Sequence, residues 1–156
     1  MIRHAILQFR PEKARVKENL ARLAERLEAL RPHAPARAFH VVLAVGSFLG
    51  ARLRMGEVEE EAGRLSEASY PDLFLHLQAL GFRFLKRERE VPQTPGTPGY
   101  TVSYHAFHPE EWEETTFRLT RLEGLYAVGL CVREGEYALM SQEGLRLAEH
   151  LLHELG

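Results

Sequence analysis

The sequence predicts an α+β fold in which a mixed or largely antiparallel sheet packs against three or four helices. Short apolar runs with partial alternation predict strands, and two stretches with apolar residues every three or four positions predict amphipathic helices. A loop rich in Pro and Gly joins two of the strands into a hairpin. With 156 residues, 45% of them hydrophobic, and no internal repeat or linker, the chain is expected to form a single domain over residues 1–156.

The first unit is a strand followed by a helix. Residues 2–9 are almost all apolar and predict a strand. Pro11 suits the first position of a helix, which is predicted to run to about residue 31 before Pro32. Its apolar positions recur with a 4-3-4-3 spacing and form one stripe, made of Val16, Leu20, Leu23, Leu27 and Leu30.

The middle of the chain begins with an apolar run at residues 39–49. This run is too short for its periodicity to distinguish a buried strand from a buried helix. Residues 55–65 predict a helix. A second short helix is expected from Ser69, as N-cap, to Leu80, with Gly81 ending it.

The remaining elements are mainly strands. Residues 82–90 and 100–107 are predicted to pair as a hairpin whose tip is the Pro/Gly loop at 92–99. Further strands are expected at residues 115–122, 125–132 and 136–140. A terminal helix capped by Ser141 should then present an apolar face composed of Leu145, Ala148, Leu151, Leu152 and Leu155.

Residues 39–107 resemble the winged helix-turn-helix of MarR- or PadR-type regulators. The order is an apolar segment, the helix-like GEVEEEAGRL at 56–65, a turn at 66–69, a second helix ending LQALGF, and two strands in the position of a wing. The resemblance implies a DNA-binding regulatory protein. However, the candidate recognition helix at 69–80 contains no Lys or Arg, so most phosphate contacts would have to come from elsewhere.

Charge is distributed unevenly along the chain. Residues 1–54 carry 11 Lys/Arg and 4 Glu, whereas residues 55–156 carry 9 Lys/Arg and 18 acidic residues. A basic segment of this kind is typical of a nucleic-acid surface, but one part of the fold could equally neutralise the other, or the two could meet between protomers of a homodimer. The candidate nucleic-acid-binding residues are Arg10, Lys13, Arg15, Lys17, Arg22, Arg83, Arg87 and Arg89.

Two functions therefore remain open. The first is a non-enzymatic regulatory or interaction protein that binds DNA or RNA through the basic N-terminal region and the wing-like hairpin. The alternative is a small-molecule-binding or enzymatic α/β domain with a pocket near the turn that holds His105 and His108. An enzyme is the less favoured of the two, because no catalytic motif is present.

The rest of the composition gives weaker expectations. His105, His108, Glu110 and Glu111 form the most metal-like group, but they span a strand end and a Pro turn, so no metal site and no cofactor are predicted.

Cys131 lies among apolar residues and is expected to be a buried thiol. The sequence offers no membrane-spanning segment and no secretory pattern, which favours the cytoplasm. Abundant Arg and Glu with a single Asn suit a thermophile.

Overall fold

The structure, a computed structural model, describes residue 25 and residues 40–155. In this part the chain has an α+β fold with eight strands and two α-helices. The elements are β1 (Val41–Leu43), β2 (Arg52–Met55), β3 (Val58–Glu60), β4 (Ala62–Arg64), β5 (Glu67–Ala68), α1 (Pro71–Ala79), β6 (Phe84–Val91), β7 (Tyr100–Phe107), β8 (Leu125–Ala127) and α2 (Tyr137–Leu155). The predicted strand at 2–9 and helix at 11–31 lie outside the described residues, except for Glu25, which is helical.

The largest sheet is four-stranded and antiparallel, with the order β3–β2–β7–β6. β6 and β7 pair without a register shift from Phe84 opposite Phe107 to Val91 opposite Tyr100, which confirms the predicted hairpin. Successive side chains of a strand point to opposite faces. One face of β7 therefore carries Val102, Tyr104 and Ala106, which are buried in a small core cluster.

A separate two-stranded sheet is parallel. β1 pairs with β8 so that Val41 lies opposite Leu125 and Leu43 opposite Ala127. Because the two strands run in the same direction, the segments that follow β1 and β8 leave the sheet at the same edge. The segment after β1 then continues through a bend towards β2, and the segment after β8 forms a short 3-10 helix at Gly129–Cys131.

Helix α1 begins one residue later than the sequence predicts, with Tyr70 and not Ser69 at the N-cap position. Ser69 does not cap it. Instead, its hydroxyl accepts a hydrogen bond from the N–H of Ala51 at 2.7 Å and donates one to the carbonyl of Phe48 at 3.2 Å. The helix ends as predicted at Gly81, whose φ of +89° continues the chain into β6.

Helix α2 packs against the rest of the protein with a different face from the one predicted. Glu143 and Leu147 are buried and Leu151 packs beside them, whereas Leu145 and Leu152 are exposed. Its first turn also occupies residues 137–140, where a strand was expected. The apolar spacing identified a helix correctly, but leucines on neighbouring faces left its orientation open.

The predicted helix at 55–65 is wrong. This stretch forms the end of β2, then β3 and β4. Gly56, with a φ of +61°, sits in a two-residue turn that pairs Met55 with Val58, and the consecutive glutamates lie on an exposed strand. A hairpin therefore stands where a winged helix-turn-helix needs its positioning helix. Residues 40–155 contain two α-helices. The predicted helix at 11–31 lies outside the described residues apart from Glu25, so the number of helices in the whole chain stays a prediction.

The main core lies between α1, the four-stranded sheet and the parallel pair. Its buried members are Leu49, Leu77, Phe82, Phe107, Leu119, Ala127, Cys131 and Val132. Each large apolar side chain buried here contributes about 1.5–3 kcal/mol. Residues 115–122, predicted as a strand, supply Leu119 to this core but form only isolated bridges, since Phe117 adopts a φ of +60°. In the described part of the chain, no helix is both long and apolar enough to cross a membrane.

Candidate functional site

Three of the predicted nucleic-acid-binding residues lie at the start of β6 or along it. Arg83 is exposed, as expected, whereas Arg87 and Arg89 are partly covered. Arg83 precedes the strand, and Arg87 and Arg89 share one face of it. The sequence predicts that these arginines point outward, because Phe82 and Phe84 should occupy the buried face. The other five candidates, Arg10, Lys13, Arg15, Lys17 and Arg22, lie outside the described residues.

Arg87 and Arg89 face inward, towards the loop that follows the 3-10 helix at Gly129–Cys131. Arg87 is only 16% exposed and lies 3.5 Å from the carbonyl of Val132 and 3.7 Å from the carboxylate of Glu134. Arg89 donates to the carbonyl of Gly135 at 3.4 Å. The loop covers this face of β6, whereas Lys86, Glu88 and Glu90 on the other face are exposed. The alternation within a single strand does not show which face another segment will cover.

Arg83 belongs to a different arrangement, centred on Glu111. The Glu111 carboxylate is 1% exposed. Its Oε1 accepts from Arg83 Nε at 2.7 Å and from Arg121 Nη2 at 3.1 Å, and its Oε2 accepts from Arg121 Nε at 2.5 Å. The hydrogen bonds from Arg121 and Arg83 lower the pKa of Glu111 to about 2 although burial opposes this. We call Arg83 and Arg121 the arginine pair.

The histidines of the same region do not form a metal site. His105 is stacked on Phe74, with ring centroids 4.0 Å apart, and its Nδ1 lies 3.2 Å from the carbonyl of Leu49. His108 Nδ1 instead accepts from the backbone N–H of Glu110 at 3.4 Å. Among residue 25 and residues 40–155, no group of three or more His, Cys, Asp or Glu side chains is arranged to hold a metal ion.

A second buried carboxylate lies at the carboxyl edge of the parallel pair. Glu143 of α2 is buried, and its Oε2 accepts from the N–H of Gly129, just after β8, at 3.3 Å. Its Oε1 is 2.7 Å from Nε of Arg133. Arg133 also bonds to Glu114 at 2.9 Å and lies over the ring of Trp112. Glu143 therefore ties α2 to the loop that follows the parallel strands.

Cys131 is buried in the main core, as predicted. Burial raises the pKa of its thiol to about 12, and the Sγ contacts the carbonyl of Val128 at 3.2 Å. A thiol of this kind is protonated at neutral pH and is not a nucleophile.

Among residues 40–155, two open grooves lie away from the turn of His105 and His108, where the alternative function was expected. One of about 570 Å³ lies at the base of the hairpin tip, beside Arg54, Glu90, Gln93 and Tyr100. The other, of about 340 Å³, lies between β6 and the loop at 134–136.

Sequence reasoning missed the residues that organise these clusters. Arg121, Arg133 and Glu143 were not singled out, and Glu111 was considered only as a metal ligand. Their partners are 10 to 28 positions away in the chain, and the spacing carries no periodic signal. No local signal marks them: Glu111 stands in the run PEEWEE at 109–114, and Arg133 and Glu143 also have polar neighbours in the sequence.

Comparison with known proteins identifies the family. The family model "Glucose inhibited division protein A" (GidA) matches residues 25–89. No curated protein matches the chain. The crystal structure of the GidA-related protein from Thermus thermophilus is 59% identical in sequence, with a TM-score of 0.70, over 94% of this chain and 74% of that one.

A more distant structure has the same fold. Aquifex aeolicus GidA is 11% identical, with a TM-score of 0.62, over 69% of this chain and 39% of that protein. These matches overturn the MarR/PadR resemblance and, with it, the interpretation of the protein as a DNA-binding regulator with a winged helix. The 59% identity over most of both chains shows that the protein belongs to the GidA family.

Proposed function

We propose that this protein acts in tRNA modification. The observation that carries the proposal is its 59% identity to the GidA-related protein, because the GidA family is one of tRNA-modification enzymes. Of the two functions that the sequence left open, the enzymatic or small-molecule-binding α/β domain agrees better with this family than the regulator does. The cytoplasm, where tRNA is modified, is the location that we propose.

The partner that we propose is tRNA itself. The formal charge of +7 over residues 1–54 supports this proposal, because cationic side chains that neutralise phosphates supply most of the affinity for a nucleic acid. The five basic candidates between Arg10 and Arg22 belong to this segment. Single-stranded and looped RNA is also read by shape and by stacking, which needs no recognition helix.

The family fold binds FAD, but the residues of this sequence do not fit the phosphates of a dinucleotide. Nucleotide-binding α/β folds hold the pyrophosphate on a Gly-x-Gly turn at the carboxyl edge of parallel strands. No two glycines of this sequence are separated by a single residue. At that edge, the N–H of Gly129 is occupied by Glu143, whose negative charge would repel a phosphate. No step of the proposed function is therefore assigned to FAD on these residues.

Binding of tRNA provides the first test. We expect the purified protein to bind unmodified tRNA more tightly than a DNA duplex of similar charge, measured by fluorescence anisotropy. Affinity should fall steeply between 50 and 200 mM salt, because binding releases counterions. Reversing Arg15, Lys17 and Arg22 to Glu should weaken binding, whereas Gln78→Ala, the matched control on α1, should not. Equal or stronger binding to DNA would contradict the proposal.

The second test concerns modification in cells. A strain lacking the gene should show the loss of one modified tRNA nucleoside by mass spectrometry, and the gene supplied on a plasmid should restore it. An unchanged nucleoside profile in the deletion strain would exclude a role in tRNA modification.

A further inference from the structure

The arginine pair is assembled from three separate parts of the chain. Arg83 lies between α1 and β6, Glu111 ends a 3-10 helix at Pro109–Glu111, and Arg121 lies in the loop before β8. The hydrogen bond from the N–H of His108 to the carbonyl of Arg83, at 2.9 Å, holds the second of these segments against the first. The fold itself therefore brings two guanidinium groups together.

Glu111 fixes the orientation of both groups. It is buried and stays ionised down to a pH of about 2, since its pKa is lowered that far. Each arginine donates a hydrogen bond from its Nε to this carboxylate, and Arg121 donates a second one from Nη2, which makes its contact bidentate. A long side chain loses conformational entropy when it binds a ligand, and most of that loss has already occurred here.

The outer edges of the two guanidinium groups remain available. The side chains of Arg83 and Arg121 are 53% and 41% exposed. Within the described residues, Nη1 of each makes no hydrogen bond or ion pair. The two guanidinium groups lie side by side, because Arg83 Nε and Arg121 Nη2 both donate to Glu111 Oε1. A guanidinium group can donate two parallel hydrogen bonds to the oxygens of a phosphate.

One internal anion competes for this position. The Glu110 carboxylate accepts from Arg83 Nη2 at 2.6 Å, but it is 67% exposed. An exposed ion pair contributes little, about 0–1 kcal/mol, so a phosphate can displace it. With Glu110 turned away, the arginine pair and Glu111 together carry one positive charge.

We propose that Arg83 and Arg121 bind one phosphate group of an RNA backbone. This inference rests on the proposed function in tRNA modification. It names two arginines in the described part of the chain that would contact the tRNA. Glu111 is a positioning residue for the contact. Glu110 is the group that the phosphate replaces.

The test compares single variants of the whole protein for tRNA binding at several salt concentrations. Arg121→Gln and Arg83→Gln should each weaken binding about tenfold and reduce the salt slope by about 1, as the loss of a phosphate contact does. Arg121→Lys keeps the positive charge but loses the planar guanidinium group that can donate two parallel hydrogen bonds. It should weaken binding less than Arg121→Gln does. Arg118→Gln is the matched control, because Arg118 is similarly exposed and its partner Glu113 lies on the surface.

Glu110→Gln gives a result that damage to the fold cannot produce. Removing the competing carboxylate should tighten tRNA binding about threefold, whereas a misfolded variant would bind more weakly. If Arg121→Gln weakens binding no more than Arg118→Gln, and Glu110→Gln leaves it unchanged, the phosphate contact is refuted while the tRNA function stands.

A probe independent of tRNA separates the two proposals. The arginine Nε–H signals of Arg83 and Arg121 in nuclear magnetic resonance spectra should shift when a four-nucleotide oligouridylate is added, and Arg118 should shift less. Such shifts in a protein that does not bind tRNA would support the phosphate contact and overturn the proposed function. Unchanged Arg83 and Arg121 signals would overturn the contact.

Discussion

The ring of Phe48 lies directly against the backbone of Gly63, so that a Cβ at position 63 would clash with Phe48 Cδ1. Gly63 is part of β4, and Phe48 lies in the segment that leaves β1. The ring also stacks on Tyr70, with centroids 5.3 Å apart. The contact joins the short β4–β5 hairpin to the rest of the fold.

Gly63→Ala should lower the free energy of unfolding by about 1–3 kcal/mol, because the ring must move away from the new methyl group. Urea denaturation measures the change. Gly144→Ala is the control: a Cβ there meets nothing within 4 Å, and Gly144 lies inside α2. That substitution should stabilise the protein by about 0.5–1 kcal/mol through helix propensity. Equal effects of the two substitutions would contradict the contact.

Glu143→Gln should destabilise the protein by roughly 3 kcal/mol, because it leaves Arg133 without its buried partner. Thermal unfolding followed by circular dichroism measures the loss. Glu67→Gln breaks the exposed pair of Arg64 and Glu67 and should change stability by less than about 1 kcal/mol. A Glu143→Gln variant as stable as Glu67→Gln would show that the buried pair contributes little.

Glu111 should make stability depend on pH in the acid range. Its pKa is about 2 in the folded protein, below the ordinary value of 4.5, so its contribution is complete above 4.5 and is lost as the pH falls towards 2. The difference in unfolding free energy between wild type and Glu111→Gln should therefore shrink over this interval. A difference that stays constant from pH 5 to pH 2 would mean that Glu111 is not held by the arginine pair.

Cys131 should be unreactive in the folded protein. Burial raises the pKa of its thiol to about 12, and reaction with a thiol reagent requires an accessible thiolate. In native buffer at pH 8, a disulfide reagent should label the protein much more slowly than in 6 M guanidinium chloride. Rapid stoichiometric labelling of the native protein would place the thiol at the surface.

Local pattern was enough to predict several elements. The β6–β7 hairpin, the end of α1 at Gly81 and the buried thiol of Cys131 follow from alternation, from a glycine with positive φ and from an apolar neighbourhood. These signals lie within a few residues of the feature that they predict. The α+β class follows from the same signals.

Prediction failed where the deciding contact is distant in the chain. Residues 55–65 look helical by composition, but β3 pairs with β2 and β4 with β5, and β2 is itself paired with β7, almost fifty residues later. Arg87 and Arg89 look exposed by alternation until the loop at 132–135 covers their face. Glu111 and Glu143 look like surface acids.

The sequence by itself determined which segments are apolar, where the chain turns and how charge is divided, because these properties belong to neighbouring residues. Only the tertiary structure decided which carboxylates are buried and which arginines they hold. A charged side chain is stable in the interior only beside its partner, and Arg121 and Arg133 reach theirs through the folding of separate segments. The arginine pair around Glu111 therefore exists only in the folded chain.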